Sequence, residues 1–161
     1  MKKLILLTGM LSFLIVMVWA KVPGPDFPGT WALDKAKSEG IPRQMSEGDI
    51  SWVISVNGKT LKKEVKGGMI PQTENYNLDG AEVAEDAPLG QFTAKAKRTA
   101  KVMGEMLELK SVLTGEFNGN AFTATTTQHL ELADGGKTLK VHQTRESTRG
   151  NQESKLVFTK K

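Results

Sequence analysis

The 161-residue chain contains no cysteine. Disulfides, a cysteine nucleophile and lipid attachment at a cleavage-site cysteine are therefore excluded, and the fold must hold by its core alone. Histidine is almost as scarce, with only His129 and His142. Charge of either sign is not clustered: 22 basic and 18 acidic residues are interspersed, so the chain carries no basic stripe of the kind nucleic acid selects. Sustained helical periodicity is missing over 35–48, where Gly40, Pro42 and Gly48 interrupt the pattern; a loop with one helical turn around Arg43 to Ser46 is expected there.

One apolar run stands out. Lys2-Lys3 precedes an uncharged stretch from Leu4 to Val18, followed by Val18-Trp19-Ala20, which suits a signal peptidase. Residues 1–20 thus read as a signal peptide, and a secreted or periplasmic location is expected; an uncleaved anchor is the alternative. Its removal takes two of the 22 basic residues and none of the 18 acidic ones, so the formal charge falls from +4 to +2. After cleavage nothing remains to insert into a membrane. What is left suits one domain, large enough to bury about two thirds of its unfolded surface. Residues 21–28, with Pro23, Pro25 and Pro28, form an extended entry arm, and 29–161 form a single β domain.

The domain reads as a series of hairpins. Leu107, Leu109 and Leu113 alternate with polar residues, as do Phe122, Ala124, Leu130 and Leu132, so each run has one apolar face. Asn118-Gly119 tolerates positive φ at both loop positions, which sets Leu113 opposite Ala124 and Leu107 opposite Leu130. A loop at Gly135-Gly136 sets Leu132 opposite Leu139 and Leu130 opposite Val141. Further turns are expected at Asn57-Gly58, Val102-Met103 and Gly150-Asn151. They pair Ile54 with Leu61, Ala94 with Ser111, Leu156 with Arg145 and Phe158 with Gln143, and leave Lys63 on the inward face opposite Trp52. Asp79 to Gly90 is expected to be an acidic loop. About eight to ten strands in sequential hairpins would leave two raw edges if open. An all-β, antiparallel up-and-down meander closed into a barrel removes them, with a two-sheet sandwich as the alternative.

Phe27-Pro28-Gly29-Thr30-Trp31-Ala32-Leu33 resembles the Gly-X-Trp opening of the calycin group, which comprises lipocalins, fatty-acid-binding proteins and bacterial lipocalin-like relatives. Lys155 to Lys161 is similar to the last strand of the same small barrels. The resemblance implies a lipocalin-like barrel with Trp31 closing one end, beside an arginine for which Arg145 and Arg149 are the candidates. The helix-turn-helix lid of fatty-acid-binding proteins has no counterpart at 35–48.

These registers line up Ala94, Ser111, Thr126, Arg145 and Leu156 in one inward row, and Ala96, Leu109, Gln128, Gln143 and Phe158 in the next. Buried polar groups cost roughly 1 to 3 kcal/mol each when unsatisfied. A guanidinium with hydroxyl and amide neighbours suits a carboxylate or phosphate. Arg145, Gln128, Gln143, Ser111 and Thr126 are therefore the candidates to hold the polar end of a small hydrophobic or amphipathic molecule, its tail against Leu109, Leu113, Phe122 and Phe158. A self-satisfied polar layer, or Arg145 packed on Trp31, is the competing reading. His129 and His142 oppose each other on the outward face, short of the three or four ligands a tight zinc site needs and unable to reach a haem inside. Neither metal nor other cofactor is expected, and without a nucleophile–base arrangement or paired inward carboxylates the chain does not read as an enzyme. The alternative function is a non-catalytic protein-interaction or inhibitor module with a filled barrel; a hollow interior separates the two. The exported protein is expected to begin at Lys21, and its intact mass checks this: a full-length mass would mean that the segment is retained.

Overall fold

A computed structural model describes residues 26–69 and 71–161; the expected signal peptide over 1–20 and most of the expected entry arm lie outside these residues. Ten antiparallel strands follow one another: β1 Gly29–Leu33, β2 Ser51–Asn57, β3 Thr60–Lys66, β4 Gln72–Asn77, β5 Val83–Leu89, β6 Phe92–Met103, β7 Met106–Phe117, β8 Asn120–Ala133, β9 Thr138–Ser147 and β10 Gly150–Lys160. Each pairs with the next except across β4 and β5, and β1 closes back onto β10. The result is a nearly closed barrel with one seam. Among the described residues no helix is long and apolar enough to cross a membrane.

Alternation places every second side chain inside. Trp31, Ile54, Leu61, Leu107, Leu109, Leu130, Leu139, Leu156 and Phe158 are fully buried and fill one end. Asn118 and Gly119 take φ of +52° and +75°, and the pairs Leu113 with Ala124, Leu107 with Leu130 and Leu132 with Leu139 form as the pattern requires. The β8–β9 connection is wider than a Gly-Gly loop, because a 3₁₀ turn at Asp134–Gly136 occupies it, but the register is unchanged.

Three other turns lie elsewhere than the sequence suggests. The β2–β3 loop is Gly58-Lys59, so Ile54 faces Lys63 and Trp52 faces Val65, a slip of two that keeps every side chain on its face. The β6–β7 loop is Gly104-Glu105: Gly104 takes φ of +63°, which Val102 would adopt only with strain. The β9–β10 loop is Thr148-Arg149, braced by Ser147 Oγ, which donates to the Gly150 carbonyl (2.9 Å) and accepts from the Arg149 amide (3.2 Å). Leu156 and Phe158 therefore pair with Val141 and Leu139, not with Arg145 and Gln143. The acidic stretch is also not all loop. Val83–Leu89 is a strand, with Glu85 facing Ala96 and Ala87 facing Ala94. Pro88 is tolerated because β5 borders the seam and one side of it needs no donor.

Residues 34–50 contain two 3₁₀ turns, Lys35–Lys37 and Arg43–Met45, and no helix-turn-helix. This strap is tied to β10 by the Glu39–Lys155 bridge and by Ser154 Oγ donating to the Gly40 carbonyl at 2.7 Å. It then packs on the β3–β4 turn, where Met69 donates to the Gln44 carbonyl. Gly67 permits the approach: at φ +77°, a Cβ there would lie 2.1 Å from the Asp49 carbonyl oxygen. Gly58 has a similar φ of +59° with open space around it. Gly58→Ala should cost about 1 kcal/mol from backbone strain alone and Gly67→Ala at least about twice that, as measured by denaturant unfolding.

Candidate functional site

The hairpins β5–β6, β7–β8 and β9–β10, the β3–β4 turn and the strap all lie at one end of the barrel, opposite the packed end. Between them the interior is hollow, with a cavity of about 340 Å³. Phe92, Leu113, Phe117 and Phe122 line its upper part near these turns; Phe92 lies 5.3 Å from Phe117 and 6.0 Å from Phe122, ring centre to ring centre. Trp52, Lys63, Glu74, Arg98, Ser111, Thr126, Gln128, Gln143 and Arg145 line the lower part. The cavity thus has an aromatic wall in its upper part, beside Thr123, Ser147, Thr148 and Arg149, and a polar floor.

The polar floor follows from the corrected registers. Arg98, Ser111, Thr126 and Arg145 form one cross-strand row; Ala100, Leu109, Gln128, Gln143 and Ser154 form the next, deeper one. Lys63 enters from β3. It is 1% exposed, and its Nζ donates to Gln128 Oε1 at 2.6 Å, pairs with Glu74 Oε2 at 2.7 Å and sits 4.5 Å from the centre of the Trp52 ring. Gln128 Nε2 passes the chain on to Gln143 Oε1 at 2.6 Å, and the Tyr76 hydroxyl donates to Glu74 Oε2 at 2.6 Å. Trp52 in turn packs on Phe158, 4.4 Å between ring centres. This network floors the cavity and roofs the apolar core.

A second ionic group spans the seam. Arg98, also buried, pairs with Glu85 on β5, and the same carboxylate accepts from the Asn75 side-chain amide (2.9 Å) and backbone amide (3.4 Å) on β4. One carboxylate thus links three strands where the ladder is interrupted. Lys63 and Arg98 each have a carboxylate partner, and Arg145 has none among the described residues.

Of the residues singled out by the sequence, Arg145, Gln128, Gln143, Ser111, Thr126, Leu113 and Phe122 line the cavity. Leu109 and Phe158 do not: both are sealed in the core below, since Phe158 pairs four residues away from its expected partner. Trp31 is fully buried at the packed end, where its Nε1 donates to the Phe27 carbonyl at 2.9 Å. The cation over its ring is Lys160 at 5.2 Å, whereas Arg145 lies in the cavity and Arg149 at the mouth, 5.9 Å from the centre of the Phe117 ring. His129 and His142 point outward, each bonded to a carboxylate, Glu108 at 3.0 Å and Glu153 at 2.8 Å. No group of three or more metal-ligating side chains occurs among the described residues.

Lys63, Glu74, Arg98 and Glu85 enlarge the set read from the sequence. Lys63 and Arg98 had a signal, as charged residues at inward positions of alternating strands. Glu74 and Glu85 had little, because the strand edges that hold them face across the seam.

Burial alone would raise the Glu74 carboxyl, but Lys63, the Tyr76 hydroxyl and Arg98 outweigh it and hold the group below its ordinary value of 4.5. Burial and the neighbouring Glu74 carboxylate push the Tyr76 phenol well above its ordinary value of 10.

The fold has counterparts in shape but not in sequence. No family model matches the chain, and no curated protein matches it in sequence. Among solved structures it is similar to Echinococcus granulosus fatty-acid-binding protein 1, at 15% identity and a TM-score of 0.54 over 83% of this chain and 96% of that one. It is similar also to apo Caenorhabditis elegans lipid binding protein 8, at 16% identity and a TM-score of 0.53 over 84% and 95%. The architecture is that of the calycin barrels, in the form seen in fatty-acid-binding proteins.

Removing one member of the buried pair leaves the other uncompensated. Lys63→Met should destabilise the protein by about 3 kcal/mol or more, and Lys63→Met combined with Glu74→Gln should recover much of that loss, as read from denaturant midpoints. The contribution of Glu74 is complete above its unfolded pKa and is lost as pH falls through the lower folded value. Stability should therefore drop below about pH 4.5 more steeply in the parent than in Glu74→Gln.

Proposed function

We propose that the protein is an exported, non-catalytic carrier that holds one small hydrophobic or amphipathic molecule inside the barrel. The observation that carries this reading is the hollow interior of about 340 Å³, with an aromatic wall above and a polar floor below, where the Arg145 guanidinium has no ion-pair partner among the described residues. A filled barrel working through its loops would have no reason to keep such a space, and cavities of this size suit small ligands.

The aromatic wall and the polar floor set the orientation. An amphipathic molecule enters with its polar end toward Arg145, Ser111, Thr126, Gln128 and Gln143, and its tail lies on Leu113, Phe92, Phe117 and Phe122. Leu109 and Phe158 do not touch it. The cavity's charged residues below the mouth, Lys63, Glu74, Arg98 and Arg145, together with the partner Glu85, leave a surplus of one positive charge, which suits a single carboxylate. Export rests on the composition of residues 1–20. The structural likeness to two proteins whose names describe fatty-acid or lipid binding supports the ligand class.

Arg145 is half-buried and has no ion pair among the described residues, so its loss should leave folding almost unchanged while removing the charge-assisted contact. Arg145→Ala is expected to weaken binding of a medium-chain fatty acid about tenfold or more with little change in Tm, measured by calorimetric titration and thermal unfolding. Unchanged affinity for every acidic amphiphile would remove Arg145 from the site.

A further inference from the structure

Gly115 is the exception among the glycines of this barrel. Every other described glycine takes a positive φ and sits in a turn, in the strap or at a strand start, where the backbone itself calls for glycine. Gly115 lies inside β7 near the mouth, and its φ is outside that range. An ordinary strand backbone accepts alanine there, and glycine weakens a strand, so the reason for it lies in what stands opposite.

Gly115 faces Phe122 on β8, and a Cβ added to it would stand 2.9 Å from Phe122 Cε1, 3.0 Å from Phe122 Cζ and 3.4 Å from the Cβ of Ala94 on β6. The far edge of the Phe122 ring therefore rests on the bare backbone of β7. Phe122, and not Gly115 or Ala94, lines the cavity at this level. The ring also packs edge-on against Phe92, at 85° between planes and 6.0 Å between centres, and Phe92 packs on Phe117. Carbon atoms in contact stand about 3.5–4.0 Å apart, so a methyl group on Gly115 would drive the ring about 1 Å off the wall. Only the end of one side chain has to move. It moves toward the interior, because the Cβ of an inward strand position points there.

We infer that Gly115 is the specificity-determining position of the cavity. By letting the Phe122 ring rest against the β7 wall, it keeps the upper chamber wide enough for an aryl group, which is broader than one alkyl chain. This rests on the carrier reading and narrows its ligand to acids with an aryl group at the end away from the carboxylate. Phe122 stands four residues from Thr126 on β8, about 13 Å along the strand, so the far end of a medium-chain acid held at Arg145 comes to its level. There it meets Phe92, Phe117 and Phe122, whose faces and edges suit a further ring.

The test titrates dodecanoate and 8-phenyloctanoate into the full-length protein by calorimetry. The parent should bind the phenyl acid at least as tightly as dodecanoate. Gly115→Ala should weaken binding of the phenyl acid about tenfold or more and of dodecanoate less than about threefold, with thermal unfolding showing the fold intact. A merely structural glycine would change Tm and leave the ratio of the two affinities where it was. In a Phe122→Leu background, which removes the ring, Gly115→Ala should no longer change that ratio, and this pair carries the test should Gly115→Ala alone fail to fold. A parent that rejects the phenyl acid while binding dodecanoate, an unchanged ratio in Gly115→Ala, or a ratio that still shifts without the ring overturns the inference and leaves the carrier reading standing. If neither acid binds the parent, both fall.

Discussion

The buried pair of Lys63 and Glu74 is the constraint around which the rest of this barrel is arranged. Burying an ammonium is tolerable only with its charge balanced and its donors used, and Lys63 meets both conditions through Glu74, Gln128 and the face of Trp52. Each of those partners comes from a different strand, β4, β8 and β2, so the network ties opposite walls of the barrel together at one level. Below that level the interior is closed by Trp31, Leu107, Leu130, Leu139, Leu156 and Phe158. Above it the walls are held apart, and the space that results is the cavity.

The same logic explains how the barrel tolerates an incomplete ladder. Between β4 and β5 no backbone pairing exists, and a seam of this kind normally exposes two unpaired edges. Here the Glu85 carboxylate receives both the backbone and the side-chain amide of Asn75 and holds Arg98 of the neighbouring strand. A charge placed at an interior edge thus does the work of missing hydrogen bonds and, by neutralising Arg98, leaves Arg145 as the guanidinium of the polar floor without a carboxylate partner among the described residues. Stability of the seam and the electrostatics of the cavity are therefore coupled through one side chain.

Much of this was legible in the sequence, and the misread registers share one cause. Alternation in β7, β8 and β9 fixed inward faces and, with Asn118-Gly119, a correct register, because a slip of one residue would turn leucines to water. A slip of two or four does not. It keeps parity and merely exchanges one inward side chain for another, so nothing in the apolar pattern distinguishes turns at Val102-Met103 and Gly104-Glu105, or at Gly150-Asn151 and Thr148-Arg149. Those slips put Ala94 in place of Arg98 beside Ser111, and Phe158 in place of Ser154 beside Gln143. β5 was hidden for another reason: Glu85, Asp86 and Pro88 argue against a strand by propensity, and only its position at the seam makes them acceptable there.

By itself the sequence determined the kind of fold, a cysteine-free antiparallel barrel of sequential hairpins. It also determined that Arg145, Gln128 and Gln143 interrupt an otherwise apolar inner face, because period-two alternation is a local property that survives without knowledge of the partner strand. Only the tertiary structure decided which polar residues satisfy one another and which are left with open valence. Lys63 meets Gln128 across 65 positions of chain, and Arg98 is claimed by Glu85, while Arg145, without an ion-pair partner among the described residues, lines the hollow. Whether a buried polar group is structure or site depends on what stands within about 3 Å of it. Sequence periodicity carries no information at that scale.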